Sequence, residues 1–181
     1  MKKSGAGQGA SSAEQYVCFS HETVADLYDF RIIEKRLFCS LEDGTMDAIE
    51  CLVTRRSIRN YTKEPVSAGD IENVVEIAQM VSCWENTQPV RYVAVLDNDL
   101  KNRIADECTK KFPWNTENIH EAPALIVLCK VKGLSGYEPN GEASTTKGTH
   151  WQSFDAGMAA DHFCLAARAV DLGTLIMGRY D

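Results

Sequence analysis

Apolar residues fall into two rhythms along this chain, and the switches between them predict its elements. Ile49, Leu52 and Val53 recur at helical spacing behind Asp47 and Glu50, a pair that resembles a capping box, so the pattern predicts a short helix over about 46–55. Ser67 and Asp70 repeat that pairing ahead of Ile71, Val74, Val75, Ala78 and Val81, which predicts a second helix with a core-facing stripe. "VRYVAVL", Val90 to Leu96, is β-branched and bounded by Pro89 and Asp97, and so predicts a strand. "DLKNRIADECTKK" reads as a polar-faced helix ending before Pro113. The nearly continuous apolar run "PALIVLCKV", Pro123 to Val131, predicts a strand buried on both faces. "KGLSGYEPNGEASTTKG" predicts a long loop, His150 to Val170 a long helix, and "DLGTLIMG" a turn at Gly173 leading into a buried strand. Helices and strands are interspersed, as in an α/β or α+β architecture around a central sheet.

Residues 1–44 follow neither rhythm. They open Gly/Ser-rich and offer only Val24, Leu27, Tyr28 and Ile32 as one short helical stripe, so they read as an N-terminal extension without assigned chemistry ahead of a domain over 45–181.

Charge narrows the partners. A net charge of -7 over 181 residues argues against nucleic acid or an anionic membrane as the main partner, since both require a basic footprint. No apolar run approaches a membrane span, and Gly, Ser and Gln follow the two leading lysines where a signal peptide would be apolar. Seven cysteines show neither a CxxC nor a Cys/His metal spacing, which fits reduced thiols in a cytoplasmic protein.

Against this acidic average, "TRRSIRNYTKEPV" concentrates positive charge. Arg55 and Arg59 are four apart, and a continuing helical turn would set both guanidiniums on one side with Ser57 between them. Planar donor forks and a hydroxyl suit a phosphate monoester, while a solvated basic helix end complementing its own dipole explains the same residues. Asn86 and Gln88, in "ENTQP", pair donors with acceptors as the edge of a pyrimidine-like ring requires; a helix cap is the alternative for Asn86. Cys83 reads as a small buried filler, because no histidine stands at a suggestive spacing. Asp161 and His162 are adjacent on a helix and so point apart, and "GEASTTKG" lacks the glycine that a P-loop places before its lysine. The Ala/Gly-dense helix from His150 serves a single core or a subunit interface equally well. The residues suggest no catalytic acid, nucleophile or metal ligand.

In order and spacing, "RRSIRNY", "ENTQPVRYVAV", "EAPALIVL", "SFDAGMAADHFCLAARAVDLGTLIMG" and the final "YD" resemble the nitroreductase family of FMN-dependent oxidoreductases over about Thr45 to Asp181. The resemblance implies an α+β, three-layer fold with a central mixed sheet flanked by helices, forming a homodimer with FMN between subunits. It implies that Arg55, Arg56 and Ser57 hold the FMN phosphate and ribityl chain. Arg59 would lie near the N1/O2 edge and tune the flavin, Asn86 and Gln88 would reach the isoalloxazine across the dimer interface, and Ile176, Met177 and Gly178 would bring backbone close to the ring. The implied chemistry runs from NADH or NADPH through flavin to nitroaromatics, quinones or similar small acceptors. Flavin binding with little turnover is the alternative.

Two departures stand out. Relatives often carry Pro-Ser-Ser or Pro-Ser-Ala where this chain has "VSCWEN", so Trp84 is expected to narrow the acceptor pocket. The chain also stops at Asp181 where relatives continue, and it is expected to lack a C-terminal segment that helps hold the phosphate.

Overall fold

A computed structural model describes residues 16–19 and 46–181. Strands β1 (Tyr16–Phe19), β2 (Val90–Val95) and β3 (Leu125–Lys130) form an antiparallel sheet in that order, with Tyr16 opposite Val95 and Val90 opposite Lys130. The helices are α1 (Ala48–Thr54), α2 (Ala68–Ala78), α3 (Asn98–Cys108), α4 (Pro113–Glu121) and α5 (His150–Ala169). β1 arises within the segment read as an N-terminal extension. The stripe at Val24, Leu27, Tyr28 and Ile32 lies outside the described residues.

Local chemistry sets the helix starts. Asp47 caps α1 by accepting from the Ile49 and Glu50 amides. At α2 the box closes in both directions, with the Asp70 amide donating to Ser67 Oγ at 3.1 Å and the Ser67 amide donating to Asp70 Oδ2 at 2.8 Å. The Ser67 hydroxyl, donating to Asp70 Oδ2 at 2.7 Å, and after it the Ser67 amide hold the Asp70 carboxyl below its usual range. Pro113 starts α4, where its missing N–H costs no helical bond. Sequence periodicity predicts nothing over 113–121, because Ile119 is the one buried residue of this polar helix.

The core lies between the sheet and the α2/α5 pair. Ile71, Val74, Val75 and Ala78 of α2 meet Tyr92 and Ala94 of β2 and Ala159, Phe163, Ala166 and Ala167 of α5. Tyr92 stacks on Phe163 with ring centroids 5.3 Å apart, and its hydroxyl donates to the Ala159 carbonyl at 3.2 Å. Ala159, Ala166 and Ala167 of α5 therefore serve an intrachain core. By strand alternation Val95 faces the other way and is buried as well, where α3 packs against β2. Lys101 of α3 is buried there, and its Nζ donates to the His120 carbonyl at 3.1 Å and to the Ala122 carbonyl, closing the C-terminal end of α4.

Three expectations change. β3 is covered on one face only: Ile126 and Leu128 pack on the core, whereas Val127 is 38% exposed. A nearly continuous apolar run cannot distinguish one buried face from two. After Gly173 the chain makes a single parallel bridge, Ser57 with Thr174, rather than a buried strand, and Ile176 is 62% exposed. Finally, α1 stops at Thr54, with Arg55 at φ -54 and ψ 130, so Arg55 and Arg59 do not share a helical turn. The bridge holds this segment extended instead, with the Ile58 amide donating to the Thr174 carbonyl at 2.9 Å.

Candidate functional site

The bridge aligns two extended segments side by side, and a cleft opens at each end of the pair. One, of about 300 Å³, is lined by Thr54, Arg55, Arg56 and Ile58 on one wall and by Arg168, Asp171, Leu172, Gly173 and Thr174 on the other. The second, of about 330 Å³, is lined by Arg59 and by the 175–179 segment, Ile176, Met177, Gly178 and Arg179 included, together with Trp114, Asn115 and Asn118 of α4. Gly173 permits the close approach, since a Cβ there would stand 2.8 Å from Ile58 Cγ1.

The first cleft is cationic. Arg56 Nη1 donates to the Arg55 carbonyl at 2.7 Å. The Arg55 charge also reaches Cys164 beneath: burial pushes that thiol up, while a hydrogen bond with Thr174 and the Arg55 guanidinium oppose the shift and Asp161 adds to it. Arg168, at the last turn of α5, places Nε 3.2 Å from Thr54 Oγ1 and Nη1 2.8 Å from Asp171 Oδ1. In the second cleft Arg59 stays close to its own backbone, with Nη1 3.4 Å from the Ser57 carbonyl. Burial raises the neighbouring Tyr61 hydroxyl, and the Arg59 charge partly offsets this. Asn115 Nδ2 donates to the Arg179 carbonyl at 2.9 Å, which ties α4 to the 175–179 segment. Trp114, at 79% exposure, stands at the rim.

Asn86 and Gln88 come together elsewhere. Gln88 Nε2 donates to Asn86 Oδ1 at 2.7 Å, and neither residue lines the two arginine clefts. Asn86 belongs to a 3-10 turn, Trp84–Asn86, rather than capping α2. Glu85, Asn86 and Gln88 all take left-handed backbone, at φ 45, 56 and 47, a conformation costing non-glycine residues of order 1 kcal/mol each. Neighbouring groups hold it: the Trp84 amide donates to Asp155 Oδ2 at 3.1 Å, the Gln88 amide to Cys83 Sγ at 3.2 Å, and Arg91 Nη1 to the Gln88 carbonyl at 2.7 Å. Cys83 is thus an acceptor within the loop. Trp84 packs within the chain, its ring 4.7 Å from that of Trp151.

Sequence reasoning missed Arg168, Asn115 and Asn118. Arg168 carries a readable signal, a basic residue in a last helical turn with Asp171 three residues on. The two asparagines sit on the helix that periodicity did not reveal.

Residues 52–116, which contain the whole arginine segment, match the family model described as the nitroreductase family. Over that segment the chain is similar to the nitroreductase family. An FMN reductase [NAD(P)H] of Bacillus subtilis is 29% identical over 73% of this chain and 54% of its own length. A protein of Archaeoglobus fulgidus described as an NADH dehydrogenase/NAD(P)H nitroreductase is 27% identical over 74% of this chain and 68% of its own. The chain thus spans about half the length of the Bacillus relative. Among solved structures, a nitroreductase family protein from Streptococcus pneumoniae superposes with a TM-score of 0.63 at 19% identity, over 75% of this chain and 78% of its own. A protein from Exiguobacterium sibiricum assigned as a nitroreductase, solved in complex with FMN, gives 0.62 at 23% identity, over 76% and 79%. The α+β nitroreductase fold is therefore shown for this domain.

Proposed function

We propose that this domain binds FMN along the paired segments 55–59 and 173–178, and that the whole protein is an NAD(P)H-dependent flavin oxidoreductase. The observation carrying the reading is the order of chemistry along the pair. A cationic cleft at Arg55 and Arg56 is followed by the Ser57 bridge, and then by a cleft with two arginines, Arg59 and Arg179, two carboxamides and the apolar Ile176 and Met177. That succession matches a phosphate, a hydroxylated chain and a flat ring with a polar edge. About three extended residues, at roughly 3.3 Å each, separate Arg56 from Arg59, a span suited to a ribityl chain.

In this reading Arg55 and Arg56 neutralise the phosphate, Ser57 faces the ribityl chain, and Arg59 sets positive charge at the ring edge. Ile176, Met177 and Gly178 give the ring a partly apolar wall. Bound FMN supplies electron transfer from NADH or NADPH to nitroaromatics, quinones or similar small conjugated acceptors. The names of the Bacillus and Archaeoglobus relatives support that donor and chemistry.

A homodimer completes the proposal. Ile49, Leu52 and Val53 of α1 turn outward, Ile49 at 65% exposure, and such a stripe fits a partner copy. The strained Asn86–Gln88 pair, set apart from both clefts, fits delivery to the partner's ring. Free thiols at Cys51, Cys83, Cys108, Cys129 and Cys164 fit a cytoplasmic setting, and no helix among the described residues is long and apolar enough to cross a membrane. Because the chain spans about half of the Bacillus relative, flavin retention with little turnover is the second reading.

The test is the absorbance spectrum of purified protein after incubation with FMN and desalting, followed by NADH and NADPH oxidation with a quinone. Retained flavin and turnover are expected. Retained flavin without turnover favours the second reading, and a colourless protein refutes both.

A further inference from the structure

We infer that Arg168 is a third phosphate-binding arginine of the first cleft and that Asp171 is its built-in competitor, the carboxylate occupying the guanidinium that an incoming phosphate takes over. The inference rests on the reading that this cleft receives a phosphate monoester. It adds two residues from the opposite wall, at the end of α5.

Arg168 faces Arg55 and Arg56 across the same cleft, with its side chain 28% exposed. Two contacts hold it there: Nε donates to Thr54 Oγ1, just ahead of the arginine pair, and Nη1 to Asp171 Oδ1. Nη2 donates to no group among the described residues. A guanidinium has five N–H donors in a planar fork, so a fixed Arg168 keeps donors available to a multivalent oxyanion. Asp171 has the opposite character. Its side chain is 88% exposed and its backbone is left-handed at φ 61. An exposed ion pair of this kind contributes at most about 1 kcal/mol, whereas charge-assisted bonds to a dianion are stronger. Exchange of carboxylate for phosphate is thus favourable, and the side chain of Asp171 is free to swing into water. No atom of the protein needs to cross the cleft.

Opposite signs on neighbouring residues make the idea testable. Arg168→Gln, Asp171→Asn and the parent are compared for FMN and riboflavin affinity by fluorescence titration. Asparagine tolerates left-handed backbone, so Asp171→Asn keeps the turn. Expected are an FMN affinity about tenfold weaker in Arg168→Gln and several-fold tighter in Asp171→Asn, with riboflavin affinity unchanged in both. Equal loss of FMN and riboflavin in Arg168→Gln, or no change of FMN affinity in either variant, overturns the inference while leaving flavin binding intact. Should the parent bind neither flavin, the functional reading fails and inorganic phosphate becomes the probe, followed by 31P line broadening at constant ionic strength. Broadening in the parent that weakens in Arg168→Gln and strengthens in Asp171→Asn sustains the inference, and identical spectra overturn it.

Discussion

Replacing Gly173 by alanine tests whether the Ser57–Thr174 bridge sets the geometry of both clefts. The added Cβ would meet Ile58 Cγ1 at 2.8 Å, Cβ at 3.1 Å and Cγ2 at 3.2 Å. Carbon atoms prefer about 3.5–4.0 Å, so one segment must retreat by roughly 0.7 Å or more. Rotation about χ1 of Ile58 moves Cγ1 and Cγ2 but leaves its Cβ in place at 3.1 Å, so it relieves the clash only in part. The backbone has to yield, and the Ile58 amide to Thr174 carbonyl bond at 2.9 Å lengthens with it. Overpacking of this size costs about 1–3 kcal/mol, equivalent to a fall in Tm of about 4–8 °C at the middle of that range. Gly157→Ala is the control: nothing lies within 4 Å of its added Cβ in α5, and alanine there raises stability by about 0.5–1 kcal/mol. Urea unfolding of parent, both variants and the double variant Gly173→Ala/Ile58→Ala measures the coupling, with partial recovery expected once the isoleucine branches are removed. Parent-like stability of Gly173→Ala would refute the claim that close approach of these segments is what the glycine provides.

Other perturbations separate the core from the site. Lys101→Met removes the cap from the His120 and Ala122 carbonyls and is expected to cost about 1–3 kcal/mol by denaturant titration, while calorimetry still shows one transition. Ser67→Ala opens the α2 capping box and should lower stability by about 1 kcal/mol, measured as a shift of the urea midpoint with unchanged slope. Tyr92 carries the alkaline pH dependence: burial, aided by the nearby Cys164 thiol, pushes its hydroxyl up to about 12. The folded state therefore keeps a proton that the unfolded chain releases near pH 10. This contribution is whole below pH 10 and is lost as pH rises through about 12. Tyr92→Phe should abolish that limb of the stability-versus-pH curve and cost about 1 kcal/mol at neutral pH.

The helices with strong stripes or paired caps were legible because their signal is local. Ser67 and Asp70 announce α2, and its buried residues are the periodic ones. What the sequence hides depends on partners distant along the chain. Arg55 to Arg59 reads as a helical continuation until Thr174, more than a hundred residues later, pairs with Ser57 and holds the segment extended. "ALIVLCK" cannot reveal which of its faces is covered, because that depends on where α5 packs. Asn115 and Asn118 escaped notice because α4 buries a single residue and leaves no stripe. The chemistry of the cluster was readable from its residue types; its division into two clefts was not, since that division is made by the 171–178 segment.

The three left-handed residues at 85, 86 and 88 bear on how the protein responds to selection. Glycine would adopt that backbone without strain at each position, so a library screened only for fold retention should enrich glycine there. A library screened for ligand-dependent growth or colour should instead keep Asn86 and Gln88. The divergence between those two enrichment profiles measures, residue by residue, how much stability this loop forgoes in its left-handed backbone.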